Sequence, residues 1–408
     1  MHNRFSRTGL LILTLAALLL PAWAQAQTEL VVWHAYRGAE KDAFEQVVAD
    51  FNQAMKAKKI SAKTLAVPYD AYADKISAAV PRGKGPDVFI FAQDRLGGWV
   101  EAGKTVEPID FFVDDATRKR FIPATRQAMT YQGSLYGLPV NFKVVTMFYN
   151  KKMVQTPPTT SAQLVAEAKK HTDTAAGRFG LAYAYSDFYY HAALMNAFGG
   201  GVFDDARQPT VSQSANVQSL DLLMNWYKQD GILPAEPSTA LITNLFNEGK
   251  AAMVFSGPWF LGEINDDVDY GLAVLPKIDE AGGTPMKPWI TVEGAYIAQP
   301  SKHKDEAYEF VQYFTGAEAA KVMALQGRQT PANVQVYGDP AVRKDPVLQA
   351  FRQQVDNAVP MPNYAEMTMM WSPVTTAMNK VVKQTASPKA ALDTAQEEVQ
   401  ERIEKLRQ

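Results

Sequence analysis

ELVVWHAYRGAEKDAFEQVVADFNQAM, residues 29–55, changes its period halfway along. Leu30 to Trp33 is an unbroken apolar run, short enough for one buried strand. After a polar loop, Phe44, Val47, Val48, Phe51 and Met55 recur at the spacing of one helical face. The alternation continues: ISAKTLAVPY (60–69) reads as a second strand, YADKISAAV (72–80) as a second helix and DVFIFA (87–92) as a third strand. Strand–helix–strand–helix–strand predicts parallel pairing in a layered α/β domain. The strands are near-continuous apolar runs, as expected when helices cover both faces of a sheet.

The pattern then restarts. SLYGLPVNFKVVTMFYNKKM (134–153) predicts two strands split by an irregular crossing, followed by a helix from Ser161 to His171. FGLAYAY (179–185) reads as a strand, and 188–198 and 215–231 as helices. KAAMVFSGPWFLGEI (250–264) reads as strand, turn and helix, and PWITVEGAYIAQP (288–300) as a strand. DEAYEFVQYFTGAEAAKVMAL (305–325) predicts a helix with Ala307, Phe310, Val311 and Phe314 on one face, and the chain from Asp345 onward is mostly helical. There is no internal repeat, low-complexity tract or long linker. The simplest architecture is two α/β lobes joined by several strand-like crossings.

Residues 1–26 are set apart by Arg4 and Arg7, the apolar run Leu10 to Leu20, and small residues at Ala22, Ala24 and Ala26. Eleven apolar residues are too few for a stable membrane span, and this order is that of a cleavable signal peptide, with cleavage expected after Ala24 or Ala26. Cleavage after Ala26 leaves 39 basic against 43 acidic residues, a net charge of −4. That balance, with no basic block, makes nucleic acid a poor partner. The chain has no cysteine, which excludes disulfides, zinc-thiolate sites and a lipid-modified N-terminal Cys. The mature protein is expected to diffuse freely, without a stable membrane anchor, in a bacterial periplasm.

Enzyme signatures are missing. PRGKGPD (81–87) lacks the Ser/Thr of a phosphate-binding loop, and H-E-x-x-H and G-x-S-x-G are absent. His34, His171, His191 and His303 are not at metal-ligand spacing. SKHK (301–304) fits S-x-x-K formally, but its place at the opening of a helix favours a capping role. What recurs instead is aromatic side chains beside polar ones at strand ends: Trp33-His34, Phe91 with Asp94-Arg95, and Asp187-Phe188-Tyr189-Tyr190, followed by Trp259 and Trp371. Aromatic faces stack on the C–H faces of a sugar ring while carboxylates and amides meet its hydroxyls. In α/β sheets such ligands bind beyond the carboxyl ends of the strands.

GPDVFIFAQDRLGG (85–98), LYGLPVNFKVVTMFYNKKM (135–153), FNEGKAAMVFSGPW (246–259), YGLAVLPK (270–277) and MPNYAEMTMMW (361–371), in this order, resemble the maltose/maltodextrin-binding proteins and the wider family of periplasmic carbohydrate-binding proteins of ABC importers. The resemblance spans essentially the whole mature chain. It implies the two-lobed periplasmic-binding-protein fold, each lobe a mainly parallel sheet flanked by helices, with three hinge crossovers. The lobes it implies are 27–141 plus 290–337 and 142–289 plus 338–408. It also implies a non-enzymatic monomer without cofactor or metal, which binds a sugar or oligosaccharide in the cleft and delivers it to permease subunits at the inner membrane.

Position by position, Asp94 and Arg95 match an Asp-Arg pair that bonds sugar hydroxyls. Phe91 falls where a stacking Trp stands in maltose-binding members. Asp187 and Tyr189 match a Glu and a Tyr of the second lobe, Tyr190 a neighbouring aromatic, and Trp259 and Trp371 two stacking tryptophans. Two departures are visible. Lys143 replaces a cleft Glu, so it either rewards a different oxygen pattern or an anionic group, or pairs with a nearby acid such as Glu293. His34, Tyr36 and Arg37 replace an Asn and an Asp-Lys pair. The alternatives are the same role for a polyol, a sugar phosphate or another oligosaccharide, or a secreted glycoside hydrolase using two acids such as Asp94 and Asp187.

Overall fold

A computed structural model describes residues 27–407; the proposed signal peptide lies outside the described residues. The first strands are β1 (Thr28–His34), β2 (Ile60–Ala66) and β3 (Val88–Ala92), with helices Gly38–Ala54 and Tyr69–Ala79 between them. β1 is central and pairs in parallel with both neighbours, Thr28 opposite Ile60 and Val32 opposite Val88. All of β3 is buried, which accounts for its unbroken apolar run.

The chain leaves this lobe through β4 (Gly137–Val144) and enters the second through β5 (Thr146–Asn150), with Val145 alone between them. The second lobe adds β6 (Phe179–Ala182), β7 (Ala251–Ser256) and β8 (Tyr270–Ala273), in the order β8-β5-β7-β6. The chain returns along β9 (Trp289–Ile297), and β10 (Val359–Pro360) pairs in parallel with the start of β9. β9 ties the first sheet together, pairing with β10, β3 and β4.

Both sheets are mixed. β9 runs antiparallel to β3 and β4, and β5 antiparallel to β7 and β8. Direction follows from the crossings. A strand that enters a lobe from the cleft runs opposite to those whose carboxyl ends reach the cleft. The parallel order predicted from 29–92 therefore holds for β1 to β3, and the re-entrant strands add the antiparallel pairs.

The helix predicted over 305–325 is two helices, Lys304–Phe314 and Ala317–Leu325. Gly316 takes an extended conformation between them and starts the second as its N-cap. The expected face is correct: Ala307, Phe310, Val311 and Phe314 are buried, with Phe310 and Phe314 packed on Phe44. Among the described residues no helix is long and apolar enough to cross a membrane.

Gly97 lets the segment after β10 pack close to the first lobe. A Cβ there would lie 2.4 Å from the Asn363 carbonyl oxygen, to which the Gly97 amide donates at 2.8 Å. A Cβ at Gly98 meets nothing within 4 Å. Gly97→Ala should therefore cost about 1–3 kcal/mol by overpacking, whereas Gly98→Ala should stay within about 0.5 kcal/mol. Urea denaturation of the two variants checks this, and equal midpoints would refute it.

Two buried histidines set an acid limit. His34 Nδ1 accepts the Tyr36 amide at 3.1 Å, and His191 Nε2 lies 3.0 Å from Ser219 Oγ. Burial lowers both from 6.5 to about 4, with Lys41 adding to the effect on His34. The fold holds both neutral, so their contribution is complete above the unfolded value. It is lost as pH falls from 6.5 toward about 4, by on the order of 3 kcal/mol each at the bottom of that window. His191→Gln should flatten the decline of stability between pH 7 and pH 4.5. An unchanged slope would remove His191 as a cause.

Candidate functional site

The first wall grows from the end of β3. A single turn, Gln93–Arg95, follows Ala92, and the buried Gln93 anchors it by accepting the Val292 amide of β9 at 2.7 Å. This turn sets Asp94 and Arg95 beyond the strand, with Arg95 Nε 3.4 Å from Asp94 Oδ2. Burial raises the Asp94 pKa, and Arg95 opposes the shift. Asp94 Oδ1 has no hydrogen-bond partner and is left to accept one.

Phe91 does not face the open site. It is 5% exposed, packed edge-on against Tyr72 and Trp99 and covered by Tyr69, whose ring stacks on it at 5.6 Å and 13°. The exposed ring is Tyr69, at 53%. The reason is position: Phe91 lies within a strand buried along its whole length, while Tyr69 opens the helix that follows β2. Partial burial, then the Asp94 carboxylate, raises the Tyr69 pKa. Lys143, Glu293 and Arg95 act on the same hydroxyl, which places it among the site's charges.

The floor is the β4–β9 ladder. Lys143 is opposite Thr291 and Asn141 opposite Glu293, so alternation brings all four side chains to one face. A bulge between Glu293 and Gly294 ends that register beside the site. Lys143 Nζ lies 3.6 Å from Glu293 Oε1, and Asn141 Nδ2 donates to Glu293 Oε2 at 2.6 Å. Attraction to Glu293 outweighs burial and raises the Lys143 pKa. Of the two expectations for Lys143, the pairing with Glu293 is the one present. Glu40, beside them, is raised chiefly by burial and then by Glu293.

The second wall comes from the helix Phe188–Ala197 and the turn after β7. Asp187 caps that helix by accepting the Tyr189 amide at 2.8 Å. The Tyr189 hydroxyl reaches Thr291 Oγ1 of the floor at 2.8 Å. Trp259 Nε1 donates to the Tyr190 hydroxyl at 3.1 Å, leaving the indole 39% exposed. This arrangement needs Gly257, since a Cβ there would meet the Trp259 ring at 2.3 Å. Trp371, the first residue of helix Trp371–Val382, is part-buried with its ring edge-on to Phe188 and Trp289.

Beside the floor and Trp259 lies a cavity of about 710 Å³, lined by Arg37, Glu40, Asn141, Lys143, Trp259 and Gln329 among others; Tyr69, Asp94, Arg95, Asp187, Tyr189, Tyr190 and Trp371 are not among its lining residues. Its size is that of a small-molecule site. Arg37 and Trp259 are thus brought to one cavity with Lys143, and Glu293 is bonded into its floor. Sequence reasoning missed Tyr69, Glu40, Asn141, Thr291 and Gln329. Tyr69 follows a strand end, the signal that found Asp94; Gln329 carries no local signal. Ser301 does not supply a nucleophile, its hydroxyl bonding Asp87 and the His303 amide just before a helix. Among the described residues no cluster of three acids or histidines could hold a metal.

Residues 37–321 match the family model described as bacterial extracellular solute-binding protein. The chain is 32% identical over 383 residues to the maltotriose-binding protein of Pyrococcus abyssi, covering 91% of this chain and 82% of the relative. It is 28% identical to the galactooligosaccharide-binding protein of Bacillus subtilis, covering 91% and 88%. The solved structure of a cyclo/maltodextrin-binding protein complexed with maltotetraose superposes with a TM-score of 0.84 at 28% identity, covering 93% of this chain and 98% of that one. These relatives are binding proteins.

The placement of Phe91 and Tyr69 is testable by stability. Phe91→Ala should cost about 3–5 kcal/mol as a core truncation, and Tyr69→Ala under about 1 kcal/mol. Chemical denaturation that ranks them the other way would overturn the assignment.

Proposed function

We propose that this chain, which belongs to the bacterial extracellular solute-binding protein family, is the ligand-capturing component of an ABC importer for maltooligosaccharides. It works in the periplasm after cleavage following Ala24 or Ala26, as a monomer that hands its closed complex to the permease. The lobes proposed are 27–141 plus 290–337 and 142–289 plus 338–408.

The observation that carries this reading is the chemistry of the facing walls. Tyr69 and Trp259 present exposed aromatic faces, suited to the C–H faces of glucose rings. Asp94 and Arg95 offer acceptor and donor together, and the floor adds Lys143, Glu293 and Asn141. Arg37, Tyr189, Tyr190, Asp187 and Trp371 complete the proposed contact set. Phe91 supports Tyr69 from beneath and makes no contact of its own.

A ligand that touches both walls stabilises the closed arrangement of lobes. Moving from mostly open to mostly closed takes about 5.5 kcal/mol of differential affinity. A micromolar dissociation constant corresponds to about −8 kcal/mol, enough to include that shift. The pairing of Lys143 with Glu293 supports a neutral sugar over a sugar phosphate, because the lysine charge is already matched. The Bacillus subtilis relative supports a second reading, a galactooligosaccharide.

Calorimetry with maltotriose and a galactotriose separates the two sugars, and X-ray scattering reports closure. Maltotriose should bind with micromolar affinity and reduce the radius of gyration. Trp259→Ala should weaken binding at least about tenfold while the protein stays folded. Unchanged affinity in that variant would remove Trp259 from the site, and tighter binding of galactotriose would replace the maltooligosaccharide reading.

A further inference from the structure

Gln329 is 5% exposed, yet it lines the cavity and neither its Oε1 nor its Nε2 has a hydrogen-bond partner. Its backbone is held firmly. The Gln329 amide donates to the Met323 carbonyl at 3.1 Å, and the next residue, Thr330, accepts the Phe142 amide at 2.9 Å and donates its hydroxyl back to the Phe142 carbonyl. Asn141, 2% exposed and on the same cavity, spends its Nδ2 on Glu293 and leaves Oδ1 without a partner. The buried Tyr36 hydroxyl is also partnerless. Gln329 faces Tyr36 and Glu40, and its hydrogen bonding toward each opposes the rise in their pKa values, through contacts too long or bent to satisfy the amide fully.

Buried polar atoms without partners are rare in folded proteins and call for an occupant that satisfies them. We propose that Gln329 is a specificity-determining residue of the cleft floor, its side-chain amide reading two neighbouring hydroxyls of one sugar ring. The inference deepens the maltooligosaccharide reading and rests on it. An amide offers one donor edge and one acceptor edge in a plane, and a vicinal diol answers with an acceptor and a donor. A phosphate or carboxylate, rich only in acceptors, matches the Nε2 half alone and meets the bare oxygens of Gln329 and Asn141. A ligand that lacks the diol leaves buried groups unpaired, the arrangement that gives strong rejection of a deoxy analogue.

The test is calorimetry of wild type, Gln329→Leu and Gln329→Glu with maltotriose and its singly deoxygenated analogues, alongside thermal denaturation. Gln329→Leu should weaken maltotriose about ten- to a hundredfold while its melting temperature stays level or rises, since an unpaired polar group is removed. Gln329→Glu, which keeps the volume and the acceptor but loses the donor, should also weaken binding. At least one deoxy analogue should bind wild type weakly yet lose nothing further on Gln329→Leu, the mark of a lost pairwise contact. Wild-type affinity in Gln329→Leu, with maltotriose binding intact, overturns this inference alone and makes the floor a hydrated pocket. No maltotriose binding by the wild type overturns both the inference and the ligand reading beneath it.

Discussion

The antiparallel ladder between β4 and β9 is the constraint on which the rest of the structure depends. Both strands pass between the lobes, one leaving the first sheet and the other entering it, and they hydrogen-bond from Ile290 and Val144 to Tyr296 and Gly137. Because the ladder, interrupted only by the bulge at Glu293 and Gly294, reaches to within one residue of β5, the second lobe hangs from a point where the two strands are paired. The face turned to the cleft then carries alternate residues of both strands. Lys143, Asn141, Thr291 and Glu293 are neighbours there because strand parity leaves them no other place.

That face is electrically balanced. Glu293 is met by Lys143 and by the Asn141 amide, and Asp94 by Arg95. Burying these charges is unfavourable unless they are matched. The balance therefore leaves a site that is polar but close to neutral, in keeping with a neutral, hydroxyl-rich ligand. Burial is the chief cause of the upward shifts of Asp94 and Glu40.

Much of the first sheet was legible in residues 29–92, because period changes between strand and helix are strong and the strands are buried on both faces. The position of Asp94 and Arg95 followed from the same pattern. What was not legible depends on contacts distant in sequence. The direction of β9 is decided by which lobe it arrives from, and nothing in PWITVEGAYIAQP encodes that. Gly97 is room for the Asn363 carbonyl, 266 positions away, which no local pattern announces. Phe91 and Tyr69 show the same limit: both are aromatic residues near strand ends, and only their packing decides which is covered. Gln329 is an ordinary polar residue in a connection until the fold closes around its amide.

The aromatic faces of the cleft are held by their own packing. Tyr69 rests flat on Phe91, and Trp259 is bonded to Tyr190 and folded back over Gly257. A side chain already confined to one rotamer loses little freedom on contact, so the usual entropic charge for ordering a binding surface is reduced. Their share of the affinity thus comes as much from the rigidity of this packing as from the area they cover.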